Sequence, residues 1–133
     1  MSELDRVFVY GTLMRGFDHP MSRLLSAGAD FLGPASCRGR LYMVAHYPGL
    51  LHSDDAGDVV FGELYRLRDV AGLMAALDDY ESVGPGYEAP TLYLREVVPV
   101  TLRDGSVQEA WTYIYNRPVD EAKRIKSGKF LET

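Results

Sequence analysis

The acids that follow an apolar segment near the middle of the chain are the side chains best suited to proton transfer. Asp78, Asp79 and Glu81 come after apolar residues spaced at i, i+3, i+4 and i+7, namely Val70, Leu73, Met74 and Leu77. This spacing is typical of one buried helix face. At about 100° per residue, Glu81 lies within roughly 30° of the centre of that face, whereas Asp79 lies almost opposite it. The spacing therefore predicts that Glu81 is drawn toward the interior.

Three influences are expected to raise the pKa of Glu81. Burial, the like charges of Asp78 and Asp79 and the negative end of the helix dipole all disfavour its ionised form. A carboxyl group with a raised pKa suits general acid/base catalysis near neutral pH. The pattern also allows a second interpretation, in which the helix ends by Tyr80 and Glu81 is a solvated loop residue.

The second candidate feature is the tetrapeptide Tyr10-Gly11-Thr12-Leu13, which follows a β-rich run over residues 6–10. Gly11 permits a close backbone approach, so the amides of this turn can converge on an anionic oxygen. The GxxxxGK[ST] pattern of a phosphate-binding loop is missing. Glycine after a strand is also common in ordinary turns that bind no ligand, and that interpretation stays open.

The remaining periodicity predicts the elements that position these features. A helix is expected from Pro20 to Gly28 after Asp18, a second from Asp69 to about Tyr80, and a terminal helix from Pro118. Strands are expected over residues 6–10, 37–44, 50–52, 59–67, 91–102 and 107–115, the last two joined by a hairpin at Asp104-Gly105 and the middle ones arranged like a meander. The order of elements predicts an α+β domain around a largely antiparallel, barrel-like sheet.

Composition narrows the function classes. With 133 residues, 47% of them hydrophobic, the chain suits a single domain over residues 1–133. A net charge of −5 argues against nucleic-acid binding, and no apolar run approaches the roughly 20 residues of a membrane span. The single cysteine, Cys37, is expected to be a buried structural thiol, and a cytoplasmic location fits best. His19, His46 and His52 lack metal-ligand spacing, so no metal site is predicted.

Several short motifs, taken in order, resemble the gamma-glutamylcyclotransferase-like family. The motifs are Val7-Phe8-Val9-Tyr10-Gly11-Thr12-Leu13, Gly39-Arg40-Leu41-Tyr42, Tyr47-Pro48, Val60-Phe61-Gly62-Glu63-Leu64-Tyr65, Leu77-Asp78-Asp79-Tyr80-Glu81, Tyr93-Leu94-Arg95, Ala110-Trp111-Thr112-Tyr113-Ile114-Tyr115 and Ser127-Gly128-Lys129-Phe130. The diagnostic pair is the Tyr-Gly-Thr-Leu turn together with the later Asp-x-Tyr-Glu segment. The resemblance covers nearly the whole chain. After Glu81 the chain continues with Ser82, where family members often have glycine.

The resemblance implies a small mixed β-barrel with flanking helices, in which the turn and the acid meet in one pocket. It also implies that Tyr10, Gly11, Thr12 and Leu13 bind substrate and that Glu81 transfers the proton. Tyr87, Tyr93 and Tyr115 are further candidates for lining the pocket. Arg15, Arg40 and Arg95 suit surface or strand-face positions equally well and are left outside the predicted site.

The implied reaction closes a small γ-glutamyl amide or amine to 5-oxoproline and releases the amine. Because the substrate carries its own nucleophile, no cofactor is expected. A small-molecule substrate is then the expected partner. Two alternatives remain at this point: a non-catalytic module that binds a small carboxylate, and a hydrolase in which Glu81 activates water.

Overall fold

The computed structural model describes residues 4–10, 20–44, 48–53, 55, 57–80, 93–116, 118–126 and 128. The strands in these ranges are β1 (Arg6–Val9), β2 (Ala29–Arg38), β3 (Arg40–Met43), β4 (Pro48–Leu51), β5 (Val59–Leu67), β6 (Tyr93–Leu102), β7 (Val107–Tyr115) and β8 (Arg124–Ile125). The α-helices are α1 (Pro20–Gly28) and α2 (Val70–Tyr80), and Glu121–Lys123 forms a short 3-10 turn.

Five strands close into a barrel, in the order β1, β5, β2, β6, β7 and back to β1. Four of the five pairings are antiparallel, and the fifth is the parallel pairing of β1 with β7 through Val7 and Trp111. The predicted α+β fold with a mixed, largely antiparallel barrel and flanking helices is confirmed. Closure gives each of the five barrel strands a partner on both sides, which protects their backbone hydrogen bonds.

Side chains alternate between the two faces of each barrel strand and so build two cores. The inner core draws on all five barrel strands and on β3 and β4, and contains Phe8, Tyr10, Ala35, Cys37, Leu41, Leu50, Val60, Leu64, Val98, Val100, Ala110 and Ile114. The outer core lies between the barrel and the helices. Three members of the predicted helix stripe, Leu73, Met74 and Leu77, are buried there, which confirms the amphipathic pattern of α2.

β7 has two parallel neighbours, one after the other, along a single edge. It pairs with β1 through Trp111 and, nearer its end, with β4 through Leu50 and Ile114. β4 continues the sheet outward, because it pairs with β3, which pairs with β8. The chain that follows β1 must therefore leave the edge of β7 where β4 arrives.

Residues 29–44 differ from the expected single strand over 37–44. β2 starts at Ala29 and runs through Gly33 and Pro34. Phe31 pairs with Tyr65 and Gly33 with Leu64, so Leu32 is the extra residue of a bulge, next to which Gly33 has φ 140°. The expected meander is also wrong, since β5 pairs with β1 and β2 and not with its sequence neighbour β4.

The predicted terminal helix is wrong within the described residues. After the 3-10 turn, Arg124 adopts the extended conformation (ψ 133°) and pairs with Tyr42 of β3. The Arg124 guanidinium group also reaches Asp58 at 2.7 Å. A helix here would withdraw Arg124 from both contacts.

Cys37 is the buried thiol that the sequence predicts. Its side chain lies in the inner core on β2. Burial raises the pKa of the thiol to about 12, so almost none of it is thiolate at neutral pH. This environment makes Cys37 unsuitable as a nucleophile.

Among the described residues, none of the helices has both the length and the apolar character that crossing a membrane requires.

Asp58 joins three separate parts of the sheet extension. Its carboxylate accepts hydrogen bonds from Arg40 Nε at 2.6 Å, Ser53 Oγ at 2.7 Å and an Arg124 terminal nitrogen at 2.7 Å. These bonds hold the pKa of Asp58 well below its ordinary value of 3.8, with the Arg40 bond as the largest cause. The ionised carboxylate thus ties β3, β8 and the turn before β5 together.

This network predicts an acid-sensitive contribution to stability. Because the pKa of Asp58 is lower in the folded state, its contribution is present above about pH 4 and is lost as the pH falls further. Asp58→Asn should lower the free energy of unfolding at pH 7, and its difference from wild type should narrow on going toward pH 2.5. Urea unfolding at both pH values measures this.

Asp30→Asn is the matched control, because among the described residues the Asp30 carboxylate forms an exposed ion pair with Arg68 at 2.8 Å. It should change stability little at either pH. A gap between wild type and Asp58→Asn that stays constant with pH would contradict the role given to the ionised Asp58.

Candidate active site

α2 and β6 begin at opposite ends of the barrel. β5 ends at Leu67, whose amide donates to the Asp5 carbonyl just before β1, and α2 starts from that end. β6 begins at Tyr93, which pairs with Tyr115 at the far end of β7. The chain from α2 to β6 must therefore travel from the start of β1 to the end of β7. Residue 81 follows Tyr80 on that path.

β1 ends at the end of the barrel where β6 begins. Because β1 and β7 are parallel, Tyr10 and Tyr115 both lie at the C-terminal ends of their strands, on the same side of the barrel. We call this region the tyrosine end, defined by Tyr10, Tyr93 and Tyr115. In the sequence, residues 11–19 join Tyr10 to α1, and residues 81–92 join α2 to Tyr93.

Tyr10 fills the place where β1 gives way to β4. Its hydroxyl group donates to the Tyr113 carbonyl oxygen at 2.6 Å and accepts from the Leu50 amide at 3.3 Å. The ring is buried in the inner core, with 7% of the residue exposed. The hydroxyl therefore links β7 to β4, and the main chain of Tyr10 is held at a defined position as it enters residue 11.

Tyr93 and Tyr115 form the neighbouring aromatic wall. Their rings pack edge to face with centroids 5.5 Å apart, and both residues are buried. The Tyr93 hydroxyl donates to the Pro48 carbonyl oxygen at 2.7 Å. A Cβ at Gly49 would lie 2.8 Å from Tyr115 Cβ, so glycine is required for β4 to approach this wall.

The predicted site residues differ in how far the structure places them. Tyr10 is placed at the tyrosine end, with its side chain turned into the core. Gly11, Thr12, Leu13 and Glu81 lie outside the described residues, as does Tyr87. The described elements on either side of them, β1 and α2, end as predicted at about residues 10 and 80.

The sequence did not predict the contacts that β4 makes with the tyrosines. Leu50 lies in the expected strand over 50–52 and Pro48 lies outside it, and their main-chain groups bind Tyr10 and Tyr93. Both contacts are long-range, with the partners 40 and 45 positions apart in the sequence. The only local signal is the aromatic content at the ends of β1 and β7.

Two of the arginines considered in the sequence analysis, Arg40 and Arg95, make contacts within the fold. Arg40 is held by Asp58, and the Arg95 guanidinium group stacks over the Trp111 ring at 4.7 Å from its centroid. Arg95 and Trp111 line a cavity of about 480 Å³ beside the start of α2, together with Leu4, Val70 and Met74. This cavity lies away from the tyrosine end.

Within the described ranges, no three His, Cys, Asp or Glu side chains are grouped so that they could hold a metal ion. His52 contacts Glu96, with 3.1 Å between its Nε2 and the carboxylate, on the surface. Arg15, His19 and His46 lie outside the described residues.

The Tyr10 contacts predict a cost for removing one oxygen atom. Tyr10→Phe leaves the buried Leu50 amide and Tyr113 carbonyl without that partner, so the free energy of unfolding should fall by about 1–3 kcal/mol. Urea unfolding measures the change. Tyr65→Phe is the control, because that hydroxyl donates at 3.0 Å to the Glu63 carboxylate in a partly buried bond, whereas both bonds of the Tyr10 hydroxyl are buried. An equal or larger loss in Tyr65→Phe would contradict the special role of the Tyr10 hydroxyl.

Two solved structures share this architecture. An AIG2-like protein from Mus musculus is similar with a TM-score of 0.69 and 26% identity, covering 90% of this chain and 82% of that chain. An uncharacterised protein from Pyrococcus horikoshii is similar with a TM-score of 0.64 and 27% identity, covering 95% of this chain and 89% of that chain.

Sequence comparisons agree with this architecture. The gamma-glutamylcyclotransferase family protein YtfP of Escherichia coli (strain K12) is 35% identical over 130 residues, which are 96% of both chains. The gamma-glutamylaminecyclotransferase of Homo sapiens is 38% identical over 104 residues, covering 72% of this chain and 61% of that protein. The family profile described as gamma-glutamyl cyclotransferase, AIG2-like, matches residues 7–132. The chain therefore belongs to the gamma-glutamyl cyclotransferase, AIG2-like family.

Proposed function

We propose that this protein cyclises a small γ-glutamyl amide or γ-glutamylamine to 5-oxoproline and releases the amine, with Glu81 as general acid/base. Family membership supports a cyclotransferase activity. The similarity to a human protein named gamma-glutamylaminecyclotransferase favours a γ-glutamylamine as the substrate class.

The observation that carries the proposal is the convergence of chain ends at the tyrosine end. Tyr10 follows β1 at this end of the barrel, and Tyr93 starts β6 there. Gly11, Thr12 and Leu13 come directly after Tyr10, and Glu81 is the first residue of the segment that joins Tyr80 to Tyr93. This topology supports a pocket between a turn rich in amides and a carboxyl group.

The reaction needs no nucleophile from the protein. The α-amino nitrogen of the substrate attacks its own γ-carbonyl carbon, the ring C–N bond forms, and the bond to the leaving amine nitrogen breaks. Holding the two reacting groups in a ring-closing conformation provides an effective concentration of about 10⁵ M or more. Positioning the substrate is thus the largest task of the site.

Glu81 provides the proton transfers in this scheme. It accepts a proton from the substrate α-ammonium group, which frees the nitrogen lone pair, and returns that proton to the departing amine nitrogen. After attack the ring nitrogen loses a second proton, which also passes to the released amine. The amine therefore leaves as its ammonium ion, and the total proton count is unchanged over one turnover. A positioned acid/base of this kind contributes about 10²–10⁴-fold to the rate.

The amides of Gly11 to Leu13 are assigned to the anionic oxygens of the substrate and to the oxyanion that forms during attack. Main-chain donors that are fixed before the reaction stabilise developing charge without further reorganisation. The hydrogen-bonded Tyr10 supports this assignment, because it anchors the peptide that leads into Gly11.

Glu81→Gln tests the acid/base role. The variant keeps the size and most hydrogen bonding of the side chain, so it should still fold and bind substrate, but turnover should fall by about 10²-fold or more. The assay incubates purified protein with a panel of γ-glutamylamines and follows 5-oxoproline and the free amine by mass spectrometry.

Asp79→Asn is the matched control, since it removes one negative charge two residues earlier, on the opposite face of the predicted helix pattern. It should retain near wild-type turnover. Near wild-type turnover in Glu81→Gln would remove Glu81 from the mechanism. Release of open-chain glutamate would indicate a hydrolase, and substrate binding without turnover would indicate a binding module.

A further inference from the structure

Gly62 packs tightly against the main chain at the end of β1. A Cβ atom built on Gly62 would lie 2.1 Å from the Val9 carbonyl oxygen and 2.9 Å from Phe8 Cζ. The first distance is far below any normal contact, and it involves the backbone, which cannot move aside as a flexible side chain could. Any other residue at position 62 would therefore displace the peptide between Val9 and Tyr10.

This contact lies where β1 leaves β5. The antiparallel register of the two strands ends at the pair Val9 and Glu63. One residue further along the edge of β5, the Phe61 amide donates to the Gly128 carbonyl oxygen at 2.8 Å, so another segment has taken the place of β1. The change of partner thus occurs at Gly62.

The close approach has a direct consequence for Tyr10. Gly62 lies on the inner face of β5, between Val60 and Leu64, which are both in the inner core. With no side chain there, the end of β1 can turn inward across the barrel, and the Tyr10 ring can enter the core. Its hydroxyl then reaches Tyr113 and Leu50.

From this geometry we infer that Gly62 is a positioning residue for the substrate-binding turn. Because Gly62 has no side chain, the Val9–Tyr10 peptide can lie close to β5. This close approach determines the point from which Gly11, Thr12 and Leu13 start. The expected effect of Gly62 on catalysis rests on the proposed function. The placement of Tyr10 by Gly62 can be measured independently of turnover.

The test compares Gly62→Ala with Val60→Ala in the full chain. Val60 is two residues away, on the same inner face and fully buried, so its truncation loosens the core without pushing on β1. Thermal unfolding of each variant sets an assay temperature at which it is folded. Gly62→Ala should lose about tenfold or more in kcat/KM, because a misplacement of about 1 Å can cost up to about 10²-fold. Val60→Ala should remain close to wild type.

An NMR measurement reads the position of Tyr10 directly. The Leu50 amide donates to the Tyr10 hydroxyl, so its ¹⁵N–¹H signal should shift in Gly62→Ala in the same direction as in Tyr10→Phe, and stay in place in Val60→Ala. If wild type turns over no γ-glutamyl substrate, the proposed function fails, and the Leu50 signal still decides the role of Gly62. An unmoved Leu50 signal, or a wild-type kcat/KM in a folded Gly62→Ala, would overturn the inference.

A second pair of variants applies if Gly62→Ala does not fold. Phe8→Leu removes the Cζ atom that would crowd a side chain at position 62, and leaves the Val9 carbonyl oxygen where it is. The double variant Phe8→Leu/Gly62→Ala is then compared with Phe8→Leu alone. A retained loss of kcat/KM and a shifted Leu50 signal support the inference. Equal behaviour of the pair shows that only core crowding mattered and overturns it.

Discussion

One buried hydroxyl group, that of Tyr10, determines how the barrel opens at its tyrosine end. β7 offers a single edge to two parallel strands, first β1 and then β4, and a gap must arise where one replaces the other. Buried main-chain groups at such a gap need partners, because an unmet amide or carbonyl costs about 1–3 kcal/mol. The Tyr10 hydroxyl bonds to one main-chain group on β7 and to one on β4, so the departure of β1 becomes a fixed feature of the fold.

The chemistry proposed for the site depends on that fixed departure. A reaction whose nucleophile and electrophile belong to one substrate gains most from donors held in place before binding. The chain leaves β1 from a peptide confined by Gly62 on one side and by the Tyr10 hydroxyl bonds on the other. α2 begins near the start of β1, and residues 81–92 join it to Tyr93 at the tyrosine end.

Features set by local periodicity could be predicted from the sequence. The apolar spacing of Leu73, Met74 and Leu77 predicted α2, and alternation with turn residues predicted β5, β7 and the hairpin at Gly105. The family and barrel class followed from ordered motifs whose combination is more specific than any one of them. The resemblance also supplied the expectation that the turn after Tyr10 and the acid at position 81 share a pocket.

Features set by distant partners could not be predicted in this way. β2 contains Gly33 and Pro34, and only its pairing with β5 and its bulge make it a strand. Arg124 lies in the region where a terminal helix was predicted, but it is in an extended conformation and contacts Asp58, 66 positions away in the sequence. The Tyr10 hydroxyl meets Tyr113 across 103 residues, and no local pattern encodes that meeting.

Chemical-shift mapping with 5-oxoproline, the product of the proposed reaction, tests the central claim most directly. Titrating it into ¹⁵N-labelled protein should move the amide signals of residues 10–13 and 81, together with those of Tyr93 and Tyr115 at the barrel end they share. Signals around Gly105, at the opposite end of the β6–β7 hairpin, should stay in place. Binding that moves the signals near Gly105 and leaves residues 10–13 unchanged would contradict the account.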